Sequence, residues 1–151
     1  MKKKHVHPTF IIYTDGASRG NPGEASLGVV ICHGDGSTMK SYGERLGIAT
    51  NNDAEYAAIA FGLKKLKALI GSDKAAVAVI EVRMDSQLAQ RQLTHQYRIT
   101  EERLFKPFIS VWNSMLDYRS VTFVHIPREE NTGADALANK ALDEPTQKNL
   151  L

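Results

Sequence analysis

Apolar and polar positions along the chain change period several times. FIIYT (10–14) is a short apolar run bounded by polar residues, which predicts a buried strand. SLGVVIC (26–32) is a second such run, and the HGDGS that follows it reads as a hairpin turn. TMKSYGERL (38–46) alternates weakly, as an exposed third strand would. Short connections between these three runs make antiparallel pairing the economical arrangement. From Asn51 the period becomes helical: Ala54, Ala57, Ala58, Phe61, Leu66 and Leu69 share a face, while Lys64, Lys65 and Lys67 fall largely on the other. Thr50 or Asn51 is placed to cap this helix and Gly71 to stop it. AAVAVIEVRM (75–84) predicts a fourth, central strand, and SQLAQRQL (86–93) a short helix. Over 101–117, Leu104, Phe108, Trp112 and Met115 mark one face of a longer helix, with Pro107 kinking or delaying it. Phe105, Phe108 and Trp112 are expected in the core. VTFVHIP (121–127) is the fifth strand, and GADALANKALDE (133–144) the closing helix.

The order βββαβααβα implies a mixed α/β sheet, its first three strands antiparallel, with helices on both faces. No linker or repeat interrupts it. A single domain over 1–151 is the expectation, with 1–8 and 145–151 as flexible ends and His5 and His7 in the first of them.

Composition changes this picture little. The apolar share of 42% and charged share of 24% are ordinary for a globular protein. A net charge of +2 and a pI near 8.7 permit a polyanionic partner without demanding one. Cys32 is the one cysteine, so no intrachain disulfide is available and a reducing, cytoplasmic compartment is expected. Cys32 and His33 are too thin a set for zinc. The apolar run after MKKKH is too short for a signal peptide or a membrane span.

The chemistry lies in four acids placed at element ends. Asp15 follows the first apolar run directly, in YTDGASRGNPG; Glu55 falls in the first turn of the long helix. Asp85 ends the fourth strand in RMDSQ, and Asp135 opens the last helix. Taken singly, an acid at such a position is ordinarily a cap, a dipole partner or a turn residue. If the first and fourth strands are parallel neighbours, Asp15 and Asp85 meet at their C-terminal ends, where open α/β sheets place their sites. Glu55 and Asp135 can join from two helix starts. Four converging carboxylates raise one another's pKa values unless a hard divalent cation offsets the charge. No GxxxxGK[ST] nucleotide loop occurs, and the element after the glycine-rich stretch reads as a strand.

These segments resemble a known family, the type I ribonucleases H. TDGASRGNPG is similar to that family's first-strand motif, TNNDAEYAAI to its first-helix motif, MDSQ to its fourth-strand motif and NTGADALANKA to its last-helix motif, in the same order through nearly the whole chain. The resemblance implies the ribonuclease H-like fold and an endonuclease that cuts the RNA strand of RNA/DNA hybrids. It implies two Mg²⁺ ions per site with substrate, Mn²⁺ as substitute, and products with 5′-phosphate and 3′-hydroxyl ends. Asp15, Glu55, Asp85 and Asp135 match the metal-binding acids. Asp15 would bridge both ions, Asp135 would serve the ion that activates water, and Glu55 and Asp85 the ion at the leaving 3′ oxygen. Gly16, Gly20 and Gly23 would let backbone pass close to the substrate. Asn21, Asn51, Asn52 and Gln87 match minor-groove contacts, and Thr50 a DNA-phosphate contact. RNA/DNA hybrid is then the partner; no membrane and no obligate protein partner is expected, and the chain is expected as a monomer.

Two departures from the family's pattern stand out. The Gly-His loop of many members is replaced by IPREENTGAD, which makes Arg128 the candidate for the scissile phosphate and leaves His125 in a strand as a structural residue. The connection QLTHQYRITEER (92–103) is too short for the basic protrusion of larger members; Arg91, Arg98, Arg103 and Lys106 are candidates for a reduced patch. A catalytically idle hybrid-binding module on the same fold is the competing reading.

Overall fold

A computed structural model describes residues 7–144. The expectation of flexible ends falls almost wholly outside those residues. The three N-terminal strands, β1 (Phe10–Gly20), β2 (Gly23–His33) and β3 (Thr38–Ala49), form an antiparallel meander. Helices α1 (Asn51–Ile70) and α2 (Ser72–Val77) lead to β4 (Val79–Met84). Helices α3 (Gln87–Leu93) and α4 (Phe105–Met115) lead to β5 (Ser120–His125), and α5 (Thr132–Asp143) closes the fold. The sheet has five strands in the order β3-β2-β1-β4-β5, with β4 parallel to β1 and β5 parallel to β4.

Neighbouring residues of a strand face opposite sides of the sheet, and this separates the helices. Gly62 of α1 sits against Ile12 and Val29, whereas Gly28, next to Val29, faces the backbone of Ala134 and Ala138 in α5. Helix α1 therefore covers one face and α5 the other. The core under α1 is built from Ile12, Val29, Ile31, Ile59, Leu63, Ile80 and Val82, all buried.

The start of α1 is fixed by a reciprocal cap. The Asp53 backbone N–H donates to Thr50 Oγ1 at 3.1 Å, and the Thr50 N–H donates to Asp53 Oδ2 at 3.2 Å. Thr50→Ala is expected to lower stability by about 1 kcal/mol, read as a lower denaturant midpoint at unchanged slope.

Four expectations are corrected. Asp15 does not end the first strand. Pairing with β4 stops at Thr14 opposite Met84, but β1 runs on against β2 to Gly20 opposite Gly23. The GASRGNPG stretch is thus the far half of a hairpin, turned tightly through Asn21 and a cis Pro22. Second, residues 75–77 belong to α2 rather than to the fourth strand. Gly71 breaks α1 at a φ of 86°, and the short turn that follows buries Ala75, so β4's regular alternation begins only at Val79. Third, the helix expected over 101–117 opens as a 3₁₀ turn, Glu102–Leu104, with α4 proper beginning at Phe105. Pro107 falls in the first turn of α4, where its missing N–H has no intrahelical partner to lose. Fourth, Phe105 and Trp112 are exposed. Leu104 and Val111 take the inward face, and Phe108 bridges the two sides, edge-on to Tyr56 and stacked on Trp112.

Candidate active site

The pairing difference on the two sides of β1 creates the site. One residue past the last parallel pair, Thr14 with Met84, come Asp15 and Asp85, side by side at the sheet's C-terminal edge. Glu55 arrives from the second turn of α1 rather than its first. It gets there because β1 and α1 touch backbone to backbone: a Cβ on Gly16 would lie 2.3 Å from both the Ala54 carbonyl carbon and the Glu55 nitrogen. The carboxylates of Asp15, Glu55 and Asp85 bring oxygens within 4.8 Å of one another. Asp135 comes from the opposite face of the sheet, since α5 lies close over Gly28, the residue paired with Asp15. Its carboxyl faces the same cleft as Asp15 and, by its proximity and charge, raises the Asp15 pKa.

Burial and mutual repulsion dominate the electrostatics. The Asp15 pKa is pushed up to about 8, first by burial, then by the charge of Asp85 and the proximity and charge of Asp135; Arg128 opposes the rise. Glu55 is held well above the usual carboxylate range by burial and by the charges of Asp15 and Asp85, against a hydrogen bond from the Gly16 backbone. Glu55 Oε2 is buried and has no hydrogen-bond partner. An all-oxygen donor set carrying excess negative charge and an unpartnered buried oxygen fits a hard divalent cation.

Beside the acids lies a cleft of about 350 Å³, lined by Asp15, Gly16, Ser18, Arg128, Asp135 and Asn139 among others. Arg128, the candidate for the scissile phosphate, lines this cleft together with Asp15 and Asp135. His125 ends β5 opposite Met84, exposed, and does not line this cleft. The candidate substrate residues divide in two. Asn51 is exposed on the cleft, Asn52 is half-buried at the start of α1, and Gln87 is exposed two residues beyond Asp85. Asn21 ties the β1–β2 turn to α1, its Oδ1 accepting from the Asn51 N–H at 3.1 Å. Thr50 is buried and committed to the cap, and Gly16 is required by the contact with α1. Gly20 and Gly23 serve the hairpin turn, where Gly20 has a φ of 124° and a Cβ on Gly23 would meet the Arg19 carbonyl. The packing of the fold therefore explains these three glycines. Of the basic residues considered for a patch, Arg91 is bound to the Tyr97 hydroxyl at 2.6 Å and Arg103 pairs with Glu101 at 2.9 Å.

Asn131, not singled out in the sequence, holds the site together. It precedes α5 but leaves the helix start uncapped. Its Nδ2 instead donates to the Thr14 carbonyl at 2.9 Å and to Asp85 Oδ2 at 3.3 Å, tying the end of the β1–β4 pairing to the start of α5. The only trace in the sequence is an asparagine at a helix start, which ordinarily means a cap. Asn131→Ala is expected to weaken divalent-cation affinity about tenfold, measured by calorimetric titration, as loss of a group that orients a ligand does.

Residues 13–141 match the family model described as Reverse transcriptase-like. Ribonuclease HI of Halobacterium salinarum is 41% identical over 87% of this chain and 63% of its own length. Ribonuclease H of Polynucleobacter asymbioticus is 32% identical over 95% of this chain and 96% of its own. The crystal structure of LC11-RNase H1 in complex with RNA/DNA hybrid superposes with a TM-score of 0.83 at 40% identity, covering 94% of this chain and 99% of that one. This chain spans 63% of the Halobacterium protein and 36% of a bifunctional protein of Mycobacterium tuberculosis to which it is also similar. Among the described residues no helix is long and apolar enough to cross a membrane.

Proposed function

The chain belongs to the ribonuclease H family, and from that premise we propose that it is an endonuclease hydrolysing the RNA strand of RNA/DNA hybrids, leaving 5′-phosphate and 3′-hydroxyl ends. The observation that carries this reading is the meeting of Asp15, Glu55 and Asp85 at one sheet edge, with Asp135 on the same cleft as Asp15. Mg²⁺, with Mn²⁺ as substitute and two ions per site, would supply a water of lowered pKa and neutralise charge on the attacking and leaving oxygens. The four acids would hold these ions, and the buried Glu55 oxygen without a partner is a ready ligand.

Arg128 directs its charge toward developing negative charge on the scissile phosphate, and its field already reaches Asp15. Asn51, Asn52 and Gln87 flank the acids as short amides suited to the shallow minor groove and its 2′-hydroxyls. The hybrid structure of LC11-RNase H1 supports hybrid as the substrate. A lone, buried Cys32 suits a cytoplasmic setting.

The test is a labelled RNA/DNA hybrid incubated with the protein and Mg²⁺ or Mn²⁺. Cleavage confined to the RNA strand and abolished by EDTA supports the proposal. Hybrid binding without cleavage in either metal supports the idle binding module instead. Arg128→Ala is expected to lower kcat about 10²-fold with a smaller change in KM, since its charge acts on the transition state.

A further inference from the structure

Phe105, Ile109, Trp112 and Leu116 are 47%, 51%, 51% and 83% exposed. At 3.6 residues per turn they fall within an arc of roughly 60°. Leu104, Val111 and Ser114, which are buried, lie on the opposite side of α4. The helix is thus apolar on both faces, and only the inner one is covered, by α1. An uncovered stripe of four large side chains spaced four, three and four residues apart is the pattern of a helix that packs on another helix. The apolar surface continues into a groove of about 400 Å³ at the C-terminal end of α4, lined by Trp112, Met115, Leu116, Tyr118 and Arg119 among others.

We propose that this face pairs with the same face of a second copy of the chain, the two α4 helices antiparallel about a two-fold axis between Ile109 and Trp112. The register is self-complementary, as a two-fold contact requires. Ile109 meets Trp112 of the other copy, and Phe105 meets Leu116 at the mouth of the groove. The antiparallel arrangement brings the N-terminal end of one stripe, with Glu102 in the 3₁₀ turn before α4, to the C-terminal end of the other, with Arg119 on the groove in the turn after it. Glu102 and Arg119 are exposed and in no ion pair among the described residues. Opposite charges therefore bracket the apolar stripe at both ends of the pair. Four side chains per copy cover less area than the ~1,200 Å² of a stable interface. The pair is accordingly weak and concentration-dependent, with a Kd of about 10–100 μM, and the monomer prevails in dilute solution.

Sedimentation equilibrium of the whole chain from about 5 to 500 μM tests this, the range bracketing that Kd. The expected result is a reversible monomer–dimer equilibrium. Ile109→Gln with Leu116→Gln should weaken it about tenfold or more while leaving thermal stability and hybrid cleavage unchanged. Glu102→Arg should also weaken it, and Glu102→Arg with Arg119→Glu should restore it. A monomer throughout the range overturns the proposal, as does a dimer indifferent to the Gln pair. A dimer sensitive to the Gln pair but not rescued by the charge exchange overturns the antiparallel register. Loss of hybrid affinity in the Gln pair without any change in sedimentation assigns the face to nucleic acid, and also overturns it.

Discussion

Asp15→Asn is expected to abolish hybrid cleavage, by about 10³-fold or more, and at the same time to stabilise the metal-free protein. Both effects have one cause. Asp15 is buried beside Asp85 and Asp135, and its pKa rises from the ordinary 3.8 to about 8. Well below pH 3.8 the group is protonated in folded and unfolded chains alike and contributes no difference. As pH rises toward 8 the unfolded chain releases its proton freely while the folded one resists, so the folded state loses stability across that window. Above pH 8 the full penalty remains, because an ionised carboxylate is then held among like charges. Asparagine keeps the shape and removes the charge. At pH 8 without metal, a gain on the order of 2 kcal/mol is expected, about 5 °C in Tm, shrinking toward zero at pH 4. Scanning calorimetry of both proteins at pH 4, 6 and 8, with EDTA and with Mg²⁺, measures it. Mg²⁺ should raise the Tm of the parent protein at pH 8 and narrow the gap to the variant. A variant no more stable than the parent at pH 8 would show that the acids are solvated in the metal-free protein.

Gly16→Ala is the second large effect. The added methyl would sit 2.3 Å from two backbone atoms of α1, and neither can rotate away as a side-chain end would. Strand and helix must separate, at about 3 kcal/mol or more and a Tm lower by about 10 °C. That separation also carries Glu55 away from Asp15 and Asp85. Below the lowered Tm, cleavage should still fall about 10²-fold, since misplacement by an ångström is that costly at a reacting centre. Gly133→Ala is the control. Its Cβ would meet only a Val30 methyl at 3.5 Å, an ordinary contact, within helix α5. There alanine should hold or raise stability by up to about 1 kcal/mol. Equal losses in the two variants would refute the close-approach explanation.

Much of this molecule is legible in its sequence. Periodicity located the five strands and the long helix, because a half-buried strand and an amphipathic helix bury different spacings of side chains. Asp15, Glu55, Asp85 and Asp135 could be named because each stands at or near an end of its pairing or helix, and ends are where side chains reach a site. What misled was local resemblance between different structures. AAV at 75–77 looks like a strand and folds as a turn of helix, because small apolar residues suit both and only the neighbours choose. Phe105 and Trp112 look like core residues, but α1 covers only the inner side of α4, and hydrophobicity carries no record of which side that is. The glycines of GASRGNPG look like a flexible loop. They are instead close packing at Gly16 and a turn at Gly20 and Gly23, since a glycine fits whatever touches it and does not say what that is.

By itself, then, the sequence determined the elements, their order, the four acids and the family motifs that carry them, all properties of residues near one another along the chain. Only the tertiary structure decided that pairing to β4 stops one residue before Asp15 while pairing to β2 continues. It alone brought Glu55 in through a backbone contact at Gly16 and spent the Asn131 amide on Asp85 rather than on a cap. It alone left one apolar face of α4 uncovered. Each of these depends on segments distant along the chain meeting at ångström separations, and such distances are set by the packing of the whole sheet and its helices.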